Sequence, residues 1–386
     1  MKLENQKEEQ KQKQLYRASI NTILENQHSG GAFPASPNYS TYQYAWLRDG
    51  SFTAYAMLKT GNTESCKRFL LWVNKTINRY SGKIDELESK IKKGSKTENT
   101  DFLPARYTLE GFEIEDDWPA FQIDGYGSWL WCTGEYIRAT RDYKLLQSVT
   151  PGIQNTIRYL IITWQIPCYD CWEEYGERIH TSTLACVYGG LSAAAELAEN
   201  EDFAKAGKTA YKVRRFILSH IRDGGFTKFI NDDGIDASLL WLAVPFKVVA
   251  VDSPAMVKTV SVIEEKLLVK GGGVKRYPED TFYGGGQWIL LTCWLAWYYL
   301  MAGRGEEAYR LLAWVEEQQD ENGCLPEQVP GLTANTSWME EWRKRWGPVA
   351  TPLLWSHAMY LVVLQEMKER DRGGVMSRWG KHRQQK

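Results

Sequence analysis

The sequence has little of what marks a membrane, secreted or nucleic-acid-binding protein. No stretch approaches the roughly 18 unbroken apolar residues of a membrane span. The most apolar run, Trp288 to Met301, is interrupted by Thr, Cys and Tyr and reads as a buried helix. The first residues stay polar to Gln14, without the apolar core of a signal peptide. Charge of one sign is missing too. Lys and Arg total 47 against 48 Asp and Glu, a net −1 that argues against a dedicated nucleic-acid binder. The 7 cysteines are odd in number and spread from Cys66 to Cys324, which suits free thiols and leads us to expect a cytoplasmic protein. Cys168-Tyr-Asp-Cys171 has no second pair of ligands nearby for zinc and no βαβ context for a redox motif, so it reads as two ordinary thiols. No linker rich in Pro, Gly or Ser splits the chain into two cores.

What is abundant is aromatic and polar at once. The chain has 17 Trp and 21 Tyr beside 12 Phe. A core built for packing alone favours Leu, Ile and Phe. Trp and Tyr add a hydrogen-bonding handle to a large apolar face, so their excess points to a surface that stacks on rings and donates to hydroxyls.

Strand signals are sparse and helical periodicity is common. The pattern predicts helices over 126–142, 151–164, 181–197, 202–220, 287–301, 306–319 and 352–369. Pro151 is placed in the first turn of its helix, where the missing N–H costs nothing. Short turns join successive helices into antiparallel hairpins. The glycine-marked loops, Gly30-Gly31, Gly224-Gly225, Gly271 to Gly273 and Gly284 to Gly286, fall between hairpins. Such an array predicts an all-α closed toroid with a pocket where the loops converge. Residues 81–100, rich in Lys, Glu, Ser and Asn, read as a charged surface excursion.

Several short segments carry candidate chemistry. Tyr42-Gln-Tyr44-Ala-Trp46-Leu-Arg48-Asp49 alternates with period two, which puts Tyr42, Tyr44, Trp46 and Arg48 on one face of an extended chain. Aromatic faces followed by a guanidinium and a carboxylate suit a sugar, whose apolar ring faces stack while its hydroxyl edges need charged partners. A half-buried strand with a surface ion pair explains the alternation equally well. Trp118, Gln122 and Asp124 repeat the theme, as would a capped helix start. Asp170-Cys-Trp172-Glu173-Glu174 crowds three carboxylates beside an indole, which raises at least one pKa and suits a general acid; an acidic helix N-terminus is the plainer alternative. Arg276, with Glu279 or Asp280 to hold it, lies between two glycine triplets. Glu327 sits in a loop between Pro326 and Gln328. Two separated carboxylates in an aromatic, arginine-bearing pocket match glycoside hydrolysis, and spacing in sequence does not choose between inversion and retention.

These blocks, in this order from about Tyr42 to His357, resemble glycoside hydrolase family 15, the glucoamylases and related glucosidases. The resemblance implies an (α/α)6 barrel over residues 1–370 as a single catalytic domain, followed by a basic tail over 371–386. It implies an inverting exo-α-glucosidase that releases β-D-glucose from non-reducing ends and needs no metal or organic cofactor. Glu173 is then the general acid and Glu327 the general base. Arg48 and Asp49 hold hydroxyls of the terminal glucose. Trp46, Trp118 and Trp172 line the pocket with Gln122, and Tyr42 supports the base. Asp170 and Glu174 shape the acid's field, Arg276 with Glu279 contacts sugar near the cleaved bond, and Trp355 lies by the base. Cys171, Phe282 and the Gly284-Gly285-Gly286 loop depart from the common pattern and bear on linkage preference. No segment matches the N-terminal β-sandwich or starch-binding module of longer members. The expected partner is a small oligosaccharide, not nucleic acid or membrane, with the short isomaltose-cleaving members as the nearest type. The alternatives are an α-1,4 or trehalose-specific hydrolase on the same scaffold, a non-catalytic sugar-binding protein, and a terpene-cyclase-like barrel using Asp116-Asp117 or Asp232-Asp233.

Overall fold

Helices apolar on every side alternate along the chain with helices apolar on one side, and that alternation builds two concentric layers. The computed structural model describes residues 2–331 and 334–372. From residue 373 onward, the basic tail expected from the sequence lies outside them. In order, the helices are α1 Lys2–Glu25, α2 Leu47–Lys59, α3 Thr63–Arg79, α4 Ser81–Lys92, α5 Asp124–Thr140, α6 Tyr143–Thr163, α7 Thr181–Ala195, α8 Glu201–Leu218, α9 Pro254–Lys266, α10 Ile289–Met301, α11 Gly305–Glu317, α12 Thr336–Trp346 and α13 Leu354–Arg372.

Helix α10 is buried without interruption from Ile289 to Leu300, and α2 from Leu47 to Met57. A helix with no polar face must be surrounded. The inner layer meets this by closing on itself: α2 packs on α5, α5 on α7, α7 on the 3₁₀ segment Ala237–Leu242, that segment on α10, α10 on α13, and α13 on α2. The sixth inner position is thus a short 3₁₀ turn. Asp236 caps it by accepting from the Ser238 N–H at 2.8 Å, and Pro245, which cannot continue a helix, follows closely. One-sided helices α1, α3, α6, α8, α9 and α11 cover the ring from outside. The result is the (α/α)6 barrel. The axis is no channel: Phe52 stacks on Trp241 at 5.6 Å and on Trp355 at 5.4 Å, and Trp241 lies 4.7 Å from Trp294.

Close approach of α5 to α7 is permitted by two glycines. A Cβ on Gly127 would overlap the Cys186 carbonyl, and one on Gly190 would overlap the carbonyl of Gly127.

One expectation changes, and two segments that the sequence pattern does not assign turn out to be helical. Pro151 lies in the interior of α6, not in its first turn, because the helix begins at Tyr143. Asn74 from α3 repairs the interrupted ladder: its Oδ1 accepts from the Gly152 N–H at 3.0 Å and its Nδ2 donates to the Ser148 carbonyl at 3.3 Å. Part of the charged excursion is helix α4, which buries Ile84 and Leu87. The polar N-terminal residues form α1, which packs on α13.

Two short antiparallel ladders finish one end of the barrel. β1 (Ala45–Trp46) pairs with β2 (Arg106–Tyr107), Ala45 opposite Tyr107. β3 (Gln287–Trp288) pairs with β4 (Gln328–Val329), Trp288 opposite Gln328. β1 and β3 run directly into α2 and α10, so they fix the side chains at the N-terminal ends of those helices.

Candidate active site

A cavity of about 520 Å³ opens at the N-terminal ends of the inner helices. That size falls within the roughly 300–1,000 Å³ of small-molecule sites. The walls come from the starts of inner helices and the segments that lead into them: Trp46, Arg48 and Asp49 at α2, Trp118 ahead of α5, Trp172 to Glu174 ahead of α7, Arg276 and Trp288 between α9 and α10, Glu327 between α11 and α12, and Trp355 at the start of α13. Helix α12 crosses the mouth. None of its residues is buried, yet Trp342, Arg345 and Trp346 face the cavity. The Trp118 and Trp346 rings stack at 5.9 Å across the rim.

Glu173 and Glu327 line the same cavity. Glu173 occupies a turn in the left-handed region, φ +67°, and Tyr175 is left-handed as well at φ +52°. Such geometry costs a non-glycine residue about 1–2 kcal/mol. The turn persists because Asp170 Oδ1 accepts from the backbone N–H groups of Trp172 at 2.9 Å and Glu174 at 3.0 Å. His180 Nε2 contacts the Tyr175 carbonyl at 3.1 Å. The alternative of an acidic helix start is therefore set aside, since α7 begins later, at Thr181.

Two donors converge on one oxygen of Glu173. Trp46 Nε1–H donates to Oε1 at 2.6 Å and Gln122 Nε2–H at 3.0 Å. The orientation of the Gln122 amide is fixed, because Arg48 can only donate and its Nη1 lies 2.9 Å from Gln122 Oε1. Arg48 also reaches Asp124 at 3.1 Å and lies 3.3 Å from Asp49.

Glu327 is held by its backbone, with its N–H donating to the Ala350 carbonyl at 2.9 Å and its own carbonyl accepting from Ile289 at 3.3 Å. His357 Nε2 accepts the neighbouring Leu325 N–H at 2.9 Å. Tyr42 donates its hydroxyl to Glu327 Oε1 at 3.1 Å. Burial pushes the Glu327 carboxyl up to about 8, with the Tyr42 hydrogen bond acting the other way. Burial likewise raises Asp170 to about 7, opposed by Lys228, and Asp49 to about 6, opposed by Arg48. Burial also raises Glu174, against Arg276.

Several buried polar atoms of the cavity wall have no hydrogen-bond partner among the described residues: Glu327 Oε2 and the indole nitrogens of Trp118, Trp288 and Trp355. Leaving such groups unpaired is costly. Mixed donors and acceptors around aromatic faces fit a polyhydroxylated ring. Among the described residues, no group of three or more His, Cys, Asp or Glu side chains is gathered as a metal site requires. Asp116 pairs with Arg106, and Asp233 with Arg222 on the surface.

Of the residues expected from sequence, Tyr42, Trp46, Arg48, Asp49, Trp118, Trp172, Glu173, Glu174, Arg276, Glu327 and Trp355 line the cavity. Gln122 and Asp170 lie behind the acidic turn. Two corrections follow. Tyr44 turns away to Arg106, whose guanidinium sits 4.6 Å from its ring. The strand ends at Trp46, and helix α2, not β alternation, aims Arg48 inward. Glu279 is exposed outside the cavity. Asp280 is the residue that clasps Arg276, through both Nε, at 2.8 Å, and Nη2. Sequence reading missed Trp288 and the α12 residues, although Trp338, Trp342 and Trp346, four apart on a charged helix, were a visible signal.

A closed helical ring whose blind cavity sets Glu173 and Glu327 among indoles, guanidinium groups and further carboxylates is the architecture of a glycoside-cleaving enzyme. The chain belongs to the glycosyl hydrolases of family 15, whose family profile matches residues 10–321; it is a glycoside hydrolase. It is 40% identical over 92% of its length to an isomaltose glucohydrolase of Kribbella flavida, 92% of which is covered. It superimposes with a TM-score of 0.89 on a glycosidase solved in complex with glucose, 39% identical, covering 93% of this chain and 97% of that one. A bacterial glucoamylase complexed with acarbose shares the fold, with a TM-score of 0.72 at 20% identity over 92% of this chain and 55% of that one. Among the described residues no helix is long and apolar enough to cross a membrane.

Proposed function

We propose that the chain is an exo-acting, inverting α-glucosidase that releases β-D-glucose from the non-reducing end of short α-glucosides, with the α-1,6 link of isomaltose and isomalto-oligosaccharides favoured. The observation that carries this reading is that Glu173 and Glu327 share one cavity yet are held by different donors. Both donors to Glu173 meet Oε1, which leaves Oε2 to carry a proton. Glu327 Oε2 has no partner among the described residues and is free to take one.

Arg48 and Asp49 bind hydroxyls of the terminal glucose while Trp46 and Trp172 pack against its faces. Glu173 gives its proton to the glycosidic oxygen as the C1–O bond breaks. Glu327 removes a proton from water, whose oxygen bonds to C1 from the opposite side. One proton leaves Glu173 and one arrives on Glu327; exchange with solvent restores both. Exo action follows from the plugged axis, since only a chain end enters a dead-end cavity. Glu327 lies just beyond the residues matched by the family profile, so its role rests on its burial in the cavity and its bond to Tyr42. The α-1,6 preference rests on the near full-length similarity to the isomaltose glucohydrolase.

In this reading the whole ring acts as one catalytic domain, and the free state of all 7 cysteines suits a reducing cytoplasm. NMR of fresh digests of isomaltose, maltose and trehalose tests the proposal. The expected result is β-glucose as the first product and isomaltose as the fastest substrate. Initial α-glucose removes inversion; faster maltose or trehalose cleavage moves the linkage preference; binding without turnover removes the enzyme.

A further inference from the structure

Behind the acidic turn lies a buried cation that the reaction above does not use. Lys228 is 6% exposed, on a loop that runs beside the residues leading into α7. Its backbone is pinned there, since Thr181 N–H donates to the Lys228 carbonyl at 3.1 Å and Lys228 N–H donates to Gly234 O at 2.7 Å.

The ammonium reaches the neighbours of Glu173 by three routes. It forms an ion pair with Asp236 at 3.2 Å, and Asp236 accepts the Trp172 Nε1–H at 3.0 Å. It lies 3.3 Å from the centroid of the Tyr277 ring, and Tyr277 donates its hydroxyl to Glu174 at 2.6 Å. It lies 4.9 Å from the ring of Tyr175. Residues 172, 174 and 175 therefore all lean on one charge, while Glu173 itself does not touch it. The turn they form contains two left-handed non-glycine residues and would relax without external support. Two buried carboxylates, Asp170 and Asp236, flank the site, and Lys228 pairs with Asp236.

We propose that Lys228 is a positioning residue for the general acid: clamped between Asp236 and the Tyr277 and Tyr175 rings, it holds the 172–175 turn and so the direction in which Glu173 delivers its proton. This rests on the reading of Glu173 as the acid.

The test compares isomaltose, whose alcohol leaving group needs a proton, with α-D-glucosyl fluoride, whose fluoride leaves with little help. In Lys228→Met, kcat on isomaltose should fall by about 10- to 100-fold, as a misplaced catalytic group does. Turnover of the fluoride should stay within about threefold of the unsubstituted enzyme. Lys228→Arg should recover most of the isomaltose rate. Should Lys228→Met not fold, Asp236→Asn carries the same expectation, because it removes the paired charge while an amide oxygen still accepts from Trp172. Equal losses on both substrates, or no loss on either, in a folded variant overturn the proposal. Glu173→Gln is measured in parallel. If it shows the selective loss and the Lys228 and Asp236 variants do not, the positioning role fails and the acid assignment stands. If Glu173→Gln shows no selectivity, both fall together.

Discussion

Trp46 donates its indole N–H to Glu173 at 2.6 Å across 127 residues of chain, and four residues earlier Tyr42 donates to Glu327 across 285. The two rings stand edge to face at 5.7 Å. One short segment ahead of α2 thus holds an oxygen of each carboxylate. Trp46→Phe keeps the ring and removes the donor, so kcat on isomaltose should fall by roughly 10-fold or more while KM changes little. A KM effect alone would mean that Trp46 serves only as a stacking surface.

Replacing either acid isosterically removes a proton-transfer group. Glu173→Gln and Glu327→Gln should each lower turnover of isomaltose by about 10²–10⁴-fold. Glucose release with a melting curve as the folding control checks this, and a near-normal rate in a folded variant removes the role assigned to that residue.

The pH profile should report Glu327. A general base works only when ionised, so kcat/KM declines as pH drops below its pKa in the free enzyme. Burial lifts that value from 4.5 to about 8, which moves the acidic limb out of the usual glutamate range toward neutrality. The Tyr42 hydroxyl favours the ionised form, so Tyr42→Phe should move the limb to higher pH. A limb that stays near 4.5, or that moves down in Tyr42→Phe, contradicts the assignment.

The same carboxyl should weaken the fold at alkaline pH. Its folded pKa exceeds the ordinary value, so between 4.5 and about 8 the native state holds more proton than the unfolded chain. Stability therefore falls as pH rises through that window. Glu327→Gln removes the penalty. Its melting temperature should match that of the parent near pH 5 and exceed it by a few degrees at pH 8; the opposite trend would show that Glu327 is not held in a desolvated site.

Gly127→Ala tests the barrel wall. The added methyl meets the Cys186 carbonyl of α7, so the α5–α7 pair must separate. We expect a loss of about 1–3 kcal/mol, typical of an overpacked core, read by denaturant unfolding. Gly82, where a Cβ meets nothing within 4 Å, is the control.

Local physics fixed much of this molecule in its one-dimensional form. Apolar periodicity placed α7, α8, α10 and α11 within about two residues of their ends, because burial on one face or all faces leaves a repeating imprint. Residue chemistry marked Glu173, Glu327, Arg48 and the indoles as candidates, the family resemblance gave them roles, and the fold gathers them around one cavity. Other features left no imprint. Glu279 and Asp280 are adjacent and chemically alike, and only the turn of the backbone decides that Asp280 clasps Arg276 while Glu279 faces solvent. Tyr44 and Trp46 share a strand pattern, but the helix starting at Leu47 ends the alternation. Lys228 is one lysine among many until tertiary packing sets it under the Tyr277 ring beside Asp236. Which acidic or basic side chain loses its water depends on neighbours tens to hundreds of residues away, and desolvation by distant neighbours is a property of the packed ring that no local segment encodes.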